Sequence, residues 1–226
     1  MSAPYPQYLY TYTVGPRPSA QRPISTSPIE LRHITVAALV LTVDFVLIYG
    51  GHAIYSFTTE FVIVASSAAA AVTAFVAHEM AHKVSAQRRG YWAEFRMSPA
   101  GLLVSLITAY IGFLFAAPGA TMIGGMSTPA DWGRTSLAGP LANFVFALLF
   151  IASSFGVAVL HPSDALLSGS LQFLAYINAW FGAFNMIPIG PLDGAKVLRW
   201  SKSVWVVSFV VFAALAGFLF YLFFVG

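Results

Sequence analysis

His78, Glu79 and His82 spell H-E-x-x-H within the stretch AFVAHEMAHKVSAQRRG. Residues four apart on a helix share a face, so both imidazoles can reach one ion. Glu79 lies beside them, close enough to polarise a bound water. With 5 histidines in 226 residues, chance yields this pattern roughly 0.002 times per chain, so metal chemistry outweighs three polar groups that merely bond between helices. Catalytic zinc takes three protein ligands and leaves one position open. The chain has no cysteine, which excludes thiolate sites and disulfides and leaves a carboxylate or another histidine as the third ligand.

Three carboxylates are candidates: Glu94, Asp131 and Asp193. Asp193 is favoured by its surroundings, NMIPIGPLDGAK, where Pro188, Gly190 and Pro191 break a helix. A broken helix inside a bundle lets a carboxylate turn toward the centre. Asp131 can instead cap a helix before Trp132. Glu94 sits among Arg88, Arg89 and Arg96 and can pair with any of them.

Two asparagines belong to the same layer. Asn185 precedes Asp193 by a few residues, just above the break, and is a candidate donor to a developing oxyanion. Asn143, in AGPLAN, is a candidate for touching substrate. An interhelical hydrogen bond competes with that role, because Gly139 and Pro140 point to close helix packing there.

These residues must be held inside a membrane. The chain is 58% hydrophobic and only 8% charged, too few charges for a water-facing surface, so a lipid bilayer must cover much of it. Long apolar runs fall near Leu31–Tyr49, Phe61–Ala86, Arg134–Leu160, Leu166–Ile187 and Val204–Val225, each near the roughly 20 residues a helix needs to cross. The expected fold is therefore an α-helical polytopic membrane protein with about five transmembrane helices. Asp44, in the middle of the first run, is a further intramembrane acid, read as a carboxyl bonded to a neighbouring helix.

Five spans with an inside N-terminus put all 11 Lys and Arg on one face. The opposite loops carry Glu60, Asp164, His52 and His161. By the positive-inside rule the basic face, and with it the N-terminus, is cytoplasmic. The net charge of +3 arises between the spans and offers no face for nucleic acid. If Arg88 marks the interface, His82 and His78 lie roughly 9 and 15 Å deeper, which puts the metal nearer the cytoplasm. Residues 1–30 show no secretory leader and read as a flexible Pro/Tyr-rich cytoplasmic tail ahead of a 31–226 transmembrane domain.

One apolar segment does not fit a simple span. Residues 97–130 begin and end on the basic face and are interrupted by Pro99, Pro118 and five glycines. Within them LLVSLITAYIGFLF, Leu102–Phe115, is rich in β-branched and aromatic residues. It reads as a re-entrant, β-hairpin-like segment, with a kinked helical hairpin as the alternative.

The order H-E-x-x-H, an apolar Gly-rich segment, G-P-L-A-N, then N-x-x-P with P-L-D-G resembles the site-2 protease family of intramembrane zinc metalloproteases, over about residues 62–199. The resemblance implies that His78, His82 and Asp193 bind one Zn2+ per chain. It implies Glu79 as general base and Asn185 as the residue orienting the substrate carbonyl or oxyanion. It also implies membrane-spanning proteins as substrates, and a multi-pass protein of the cell membrane. The short loop at His161–Ser168 leaves no room for a PDZ domain, so this is a minimal form. Two rival readings are a secondary transporter and another membrane zincin with a chamber-type site and Glu94 as ligand. The spans show no inverted repeat, and H-E-x-x-H has no evident transport role.

Overall fold

The structure, a computed structural model, describes residues 24–51, 56–113 and 118–224. Its helices begin where the chain supplies caps. Ser27–Pro28, Ser98–Pro99 and Thr128–Pro129 each place a side-chain acceptor at the N-cap and a proline just inside. Each hydroxyl takes an otherwise orphaned N–H, and the proline removes another. From these starts run α1 (Pro28–Gly50), α4 (Pro99–Tyr110) and α5 (Pro129–Leu160).

The remaining helices are α2 (Phe57–Ala70), α3 (Ala77–Arg88), α6 (Ala165–Asn185), α7 (Asp193–Trp200) and α8 (Lys202–Phe224). Between α2 and α3 the backbone widens into a π-helical turn, Ala71–Val76, without breaking the 32-residue rod Phe57–Arg88. Such turns are rare and collect at functional sites.

Among the described residues, four helices are long and apolar enough to cross a membrane: α1, the Phe57–Arg88 rod, α5 and α8. They coincide with four of the expected runs, and the molecule is an integral membrane protein. The fourth expected run corresponds to α6, which is 21 residues long but less apolar than the others. Ser170 and Asn178 dilute it, and both are buried. Because α6 packs against α2, α5 and α8, its polar positions meet protein. Phe173, Leu174, Ile177 and Phe181 of α6 join Leu41, Phe45 and Phe75 in the main core.

The 97–130 segment differs from its expected form. Leu102–Tyr110 is helical, inside α4, and is not a strand. The Ser98–Pro99 cap starts the helix. Its buried positions, Leu102, Ser105 and Ala109, follow helical spacing, while Leu103, Val104, Ile107 and Tyr110 are exposed. With apolar residues on both faces, the helical period was hidden and β-branching pointed to a strand. The strands instead flank α4: β1 (Trp92–Met97) and β2 (Gly119–Gly124) pair antiparallel, with Phe95 opposite Thr121. In β1, Ala93 and Phe95 are fully buried between more exposed neighbours, the alternation of a half-buried strand.

α1 begins at Pro28, within the stretch expected as a tail. Residues 1–23 lie outside the described residues, but residues 25–27 are tied down before α1 begins. Ser25 N donates to Gln87 Oε1 at 3.0 Å, and Thr26 Oγ1 accepts from Lys83 Nζ at 2.8 Å. His52 likewise lies outside the described residues. Asp44 is fully buried, and neither carboxyl oxygen has a hydrogen-bond partner among the described residues, in contrast to the expected bond to a neighbouring helix.

Candidate metal centre

α3 presents His78 and His82 one turn apart, both buried. Their Nε2 atoms lie 3.0 Å from each other. Asp193 Oδ2 lies 3.0 Å from His82 Nε2 and 3.3 Å from His78 Nε2. Tetrahedral bonds of roughly 2.0–2.2 Å separate neighbouring ligand atoms by about 3.3 Å, so this triangle has the dimensions of a zinc site.

The far side of each ring decides what the near side offers. His82 Nδ1 lies 2.8 Å from the Thr135 carbonyl oxygen, which only accepts. His82 Nδ1 therefore carries the proton. Asn143 Nδ2 donates to the Ala74 carbonyl at 2.9 Å, which fixes the amide and turns Oδ1 to His78 Nδ1 at 2.6 Å. His78 is thus protonated on Nδ1 as well, and both Nε2 lone pairs point into the triangle. Two lone pairs and a carboxylate oxygen at 3.0–3.3 Å repel one another. A cation between them is what this arrangement fits.

Two glycines make room. A Cβ on Gly139 of α5 would lie 2.4 Å from His82 Nε2 and 2.7 Å from His78 Nε2, so bare backbone walls the site on that side. A Cβ on Gly194 would lie 2.0 Å from the Met186 carbonyl oxygen. Without one, the start of α7 tucks under the end of α6 and Asp193 enters the site. The turn Pro188–Pro191 achieves this with Gly190 at a φ of 53°, a left-handed conformation suited to glycine. Lys196 Nζ, 3.3 Å from Asp193 Oδ1, holds the other carboxylate oxygen.

Glu79 is fixed from the strand pair. Thr121 of β2 donates to Glu79 Oε2 from its backbone N at 2.9 Å and from its hydroxyl at 2.7 Å. Oε1 takes no hydrogen bond from the described residues. Glu79, His78, His82 and Asp193 line a cavity of about 430 Å³, walled by β2, Trp132, Phe181 and Asn185. Asn185 donates one amide hydrogen to the Phe181 carbonyl at 3.0 Å, which leaves the other available.

Of the residues singled out from sequence, His78, Glu79, His82, Asn185 and Asp193 meet at this cavity. Asn143 does not reach it. It is fully buried, with its amide spent on His78, Ala74 and Asn178. In this structure Asn143 supports the His78 ring from behind. Glu94 bonds Arg96 and Ser27, and Asp131 bonds Tyr91 and Thr128. Among the described residues, His78, His82 and Asp193 form the one cluster spaced for a metal. Sequence reasoning missed Thr121, since a lone threonine in a Gly-rich stretch carries no signal.

Comparison with known proteins gives the family. The description "Peptidase family M50" matches residues 157–223. A protein of Methanocaldococcus jannaschii, named as a proposed zinc metalloprotease, MJ0611, is 33% identical over 197 residues, covering 86% of this chain and 95% of its own. The chain belongs to peptidase family M50. Another similar protein, Rip3 of Mycobacterium tuberculosis, also named as a proposed zinc metalloprotease, is 31% identical over 136 residues, 60% of this chain and 30% of its own length. No solved structure matches. The M50 match over 157–223 contains Asn185 and Asp193, while the MJ0611 likeness extends over most of the chain. Family and relatives together identify a membrane zinc metalloprotease.

Proposed function

We propose that this M50 member is an intramembrane endopeptidase that binds one zinc per chain and hydrolyses peptide bonds in the membrane-spanning segments of other proteins, releasing their soluble parts. The observation that carries the reading is the triangle of His78 Nε2, His82 Nε2 and Asp193 Oδ2 at 3.0–3.3 Å, with Glu79 on the same cavity. Zinc held by these atoms would supply a Lewis acid and lower the pKa of water toward 7.

The chain's own residues carry the rest. Glu79, anchored through Oε2, has Oε1 to take a proton from the attacking water and return it to the leaving amine. Asn185 has an amide hydrogen to offer the substrate carbonyl oxygen as negative charge develops there. A helical substrate hides its carbonyls in its own hydrogen bonds, so it must unwind before attack.

The edge of β2 is the proposed holder of the unwound segment. Phe95 N–H points away from β2, to Glu30, so Phe95 and Thr121 form a non-hydrogen-bonded pair; the backbone of residues 119 and 123 and the carbonyl of Thr121 face outward, while the Thr121 N–H is held by Glu79. Gly119, Thr121 and Ile123 line the cavity, which favours pairing of a substrate strand along this edge. In the same proposal α6 is the fifth span. The N-terminus is cytoplasmic, and the centre opens toward that side of the cell membrane.

Glu79→Gln keeps the shape of the side chain and removes the basic carboxylate. Zinc content should stay near one per chain, while cleavage of a transmembrane substrate falls by about 10²–10⁴-fold. Unchanged cleavage by the zinc-loaded variant sinks this reading.

A further inference from the structure

α3 carries a second set of polar residues at helical spacing, offset by one position from the histidines. Glu79, Lys83 and Gln87 follow one another at four-residue intervals and so share a face. Each grips the strand pair or what holds it. Glu79 takes both bonds from Thr121 on β2. Gln87 Nε2 donates to the Ala93 carbonyl on β1 at 3.0 Å and to the Ser25 carbonyl at 3.1 Å. Lys83 Nζ lies 2.5 Å from Glu30 Oε2, and both side chains are essentially removed from solvent. The second oxygen, Glu30 Oε1, accepts the backbone N–H of Phe95 at 3.0 Å.

Phe95 stands opposite Thr121 across the sheet. Its ring meets Phe75 of the π-helical turn edge-on, with centroids 5.4 Å apart. The chain of contacts thus runs from Glu30 to Phe95, across the ladder to Thr121, and from Thr121 to Glu79. A buried ion pair adds little net stability over an apolar pair of similar volume. What bears on the strand pair is the other oxygen: Lys83 takes Glu30 Oε2 and leaves Oε1 to accept the Phe95 N–H.

We propose that Glu30, on the first turn of α1, is a positioning residue for the general base: by holding Phe95 it sets the depth of the strand pair from which Thr121 orients Glu79. This rests on the proteolytic reading of the site, and it makes the start of α1 part of the catalytic frame.

The test compares two double variants of the full-length, zinc-loaded protein. Glu30→Gln with Lys83→Met removes the ion pair but keeps an oxygen for Phe95 N–H. Glu30→Leu with Lys83→Met removes both. The first should cleave a transmembrane substrate within about threefold of wild type. In the second, kcat should fall about 10–100-fold with KM within about twofold, the scale of a small misplacement of a catalytic group. Zinc should be retained in both.

Amide hydrogen exchange gives a reading independent of cleavage. In the Leu variant exchange should rise at Phe95 and at Thr121 together. If the two variants behave alike, or exchange rises at Phe95 alone, Glu30 does not position Glu79. Should the Leu variant fail to fold, Glu30→Asp with Lys83→Met, one methylene short of Phe95, replaces it in both measurements. Absence of cleavage by wild type would overturn the proteolytic reading instead, while the exchange result would still decide whether Glu30 controls Thr121.

Discussion

Gly139 and His82 approach so closely that a single methyl group on the glycine would lie 2.4 Å from the imidazole Nε2. Backbone from α5 therefore forms one wall of the metal centre. Gly139→Ala must push both rings or the helix aside, and overpacking of this kind costs roughly 1–3 kcal/mol. Zinc affinity should fall by about 10–100-fold while the protein remains helical. Zinc titration with circular dichroism on the same samples checks this, and undiminished affinity would mean that α5 yields freely at this point.

Asn143 has the reverse task, filling space and supplying an acceptor. Its Oδ1 holds the Nδ1 proton of His78 and so aims Nε2 at the metal. Loss of such an outer partner typically weakens metal binding about 10–100-fold. Asn143→Leu should do so. Asn143→Asp, which keeps an acceptor for His78, should bind zinc more tightly than the leucine variant. If the two bind zinc equally, the hydrogen bond to His78 has no part in affinity.

Much of this site was legible because helix periodicity turns spacing into geometry. His78 and His82 at i and i+4, on a long apolar run, admit little else. Asp193 was legible through the helix breakers before it. What sequence did not reveal depends on contacts between distant segments. Thr121 reaches Glu79 across 42 positions, and Glu30 reaches Phe95 across 65. No local pattern records either. α4 reads as a strand for a related reason: its outward face is as apolar as its inward one, so the sequence carries no burial periodicity. WAEFRM carries the alternation of β1, but Glu94 and Arg96 give it equally the composition of a charged loop.

The third ligand can be separated from its rivals by substitution. Asp193→Ala should lose zinc, whereas Glu94→Ala and Asp131→Ala should keep it. Their carboxylates are engaged with Arg96 and Ser27, and with Tyr91 and Thr128. Metal analysis of the three purified variants decides the matter. Full zinc in Asp193→Ala would remove the carboxylate from the coordination set.

Orientation in the membrane follows from charge, and α5 offers a clean way to read it. This helix has 32 residues, roughly 48 Å at 1.5 Å per residue, more than the hydrocarbon core of a bilayer requires. Ser127 precedes it and Ser163 follows it, both exposed. Arg134 lies in its first two turns, and Lys196 and Arg199 sit beside Ser127 and Thr128 around a second cavity. The loop holding Ser163 carries Asp164 and His161 and no Lys or Arg. Basic residues near span ends stay cytoplasmic, so Ser127 should face the cytoplasm and Ser163 the exterior. The natural chain has no cysteine, so Ser127→Cys and Ser163→Cys each introduce the single thiol available to an impermeant maleimide. In intact cells Ser163→Cys should label and Ser127→Cys should not. In inside-out vesicles the pattern should reverse. Labelling of both from the same side would mean that α5 does not cross the bilayer, and the metal centre would then need another account of how it meets its substrate.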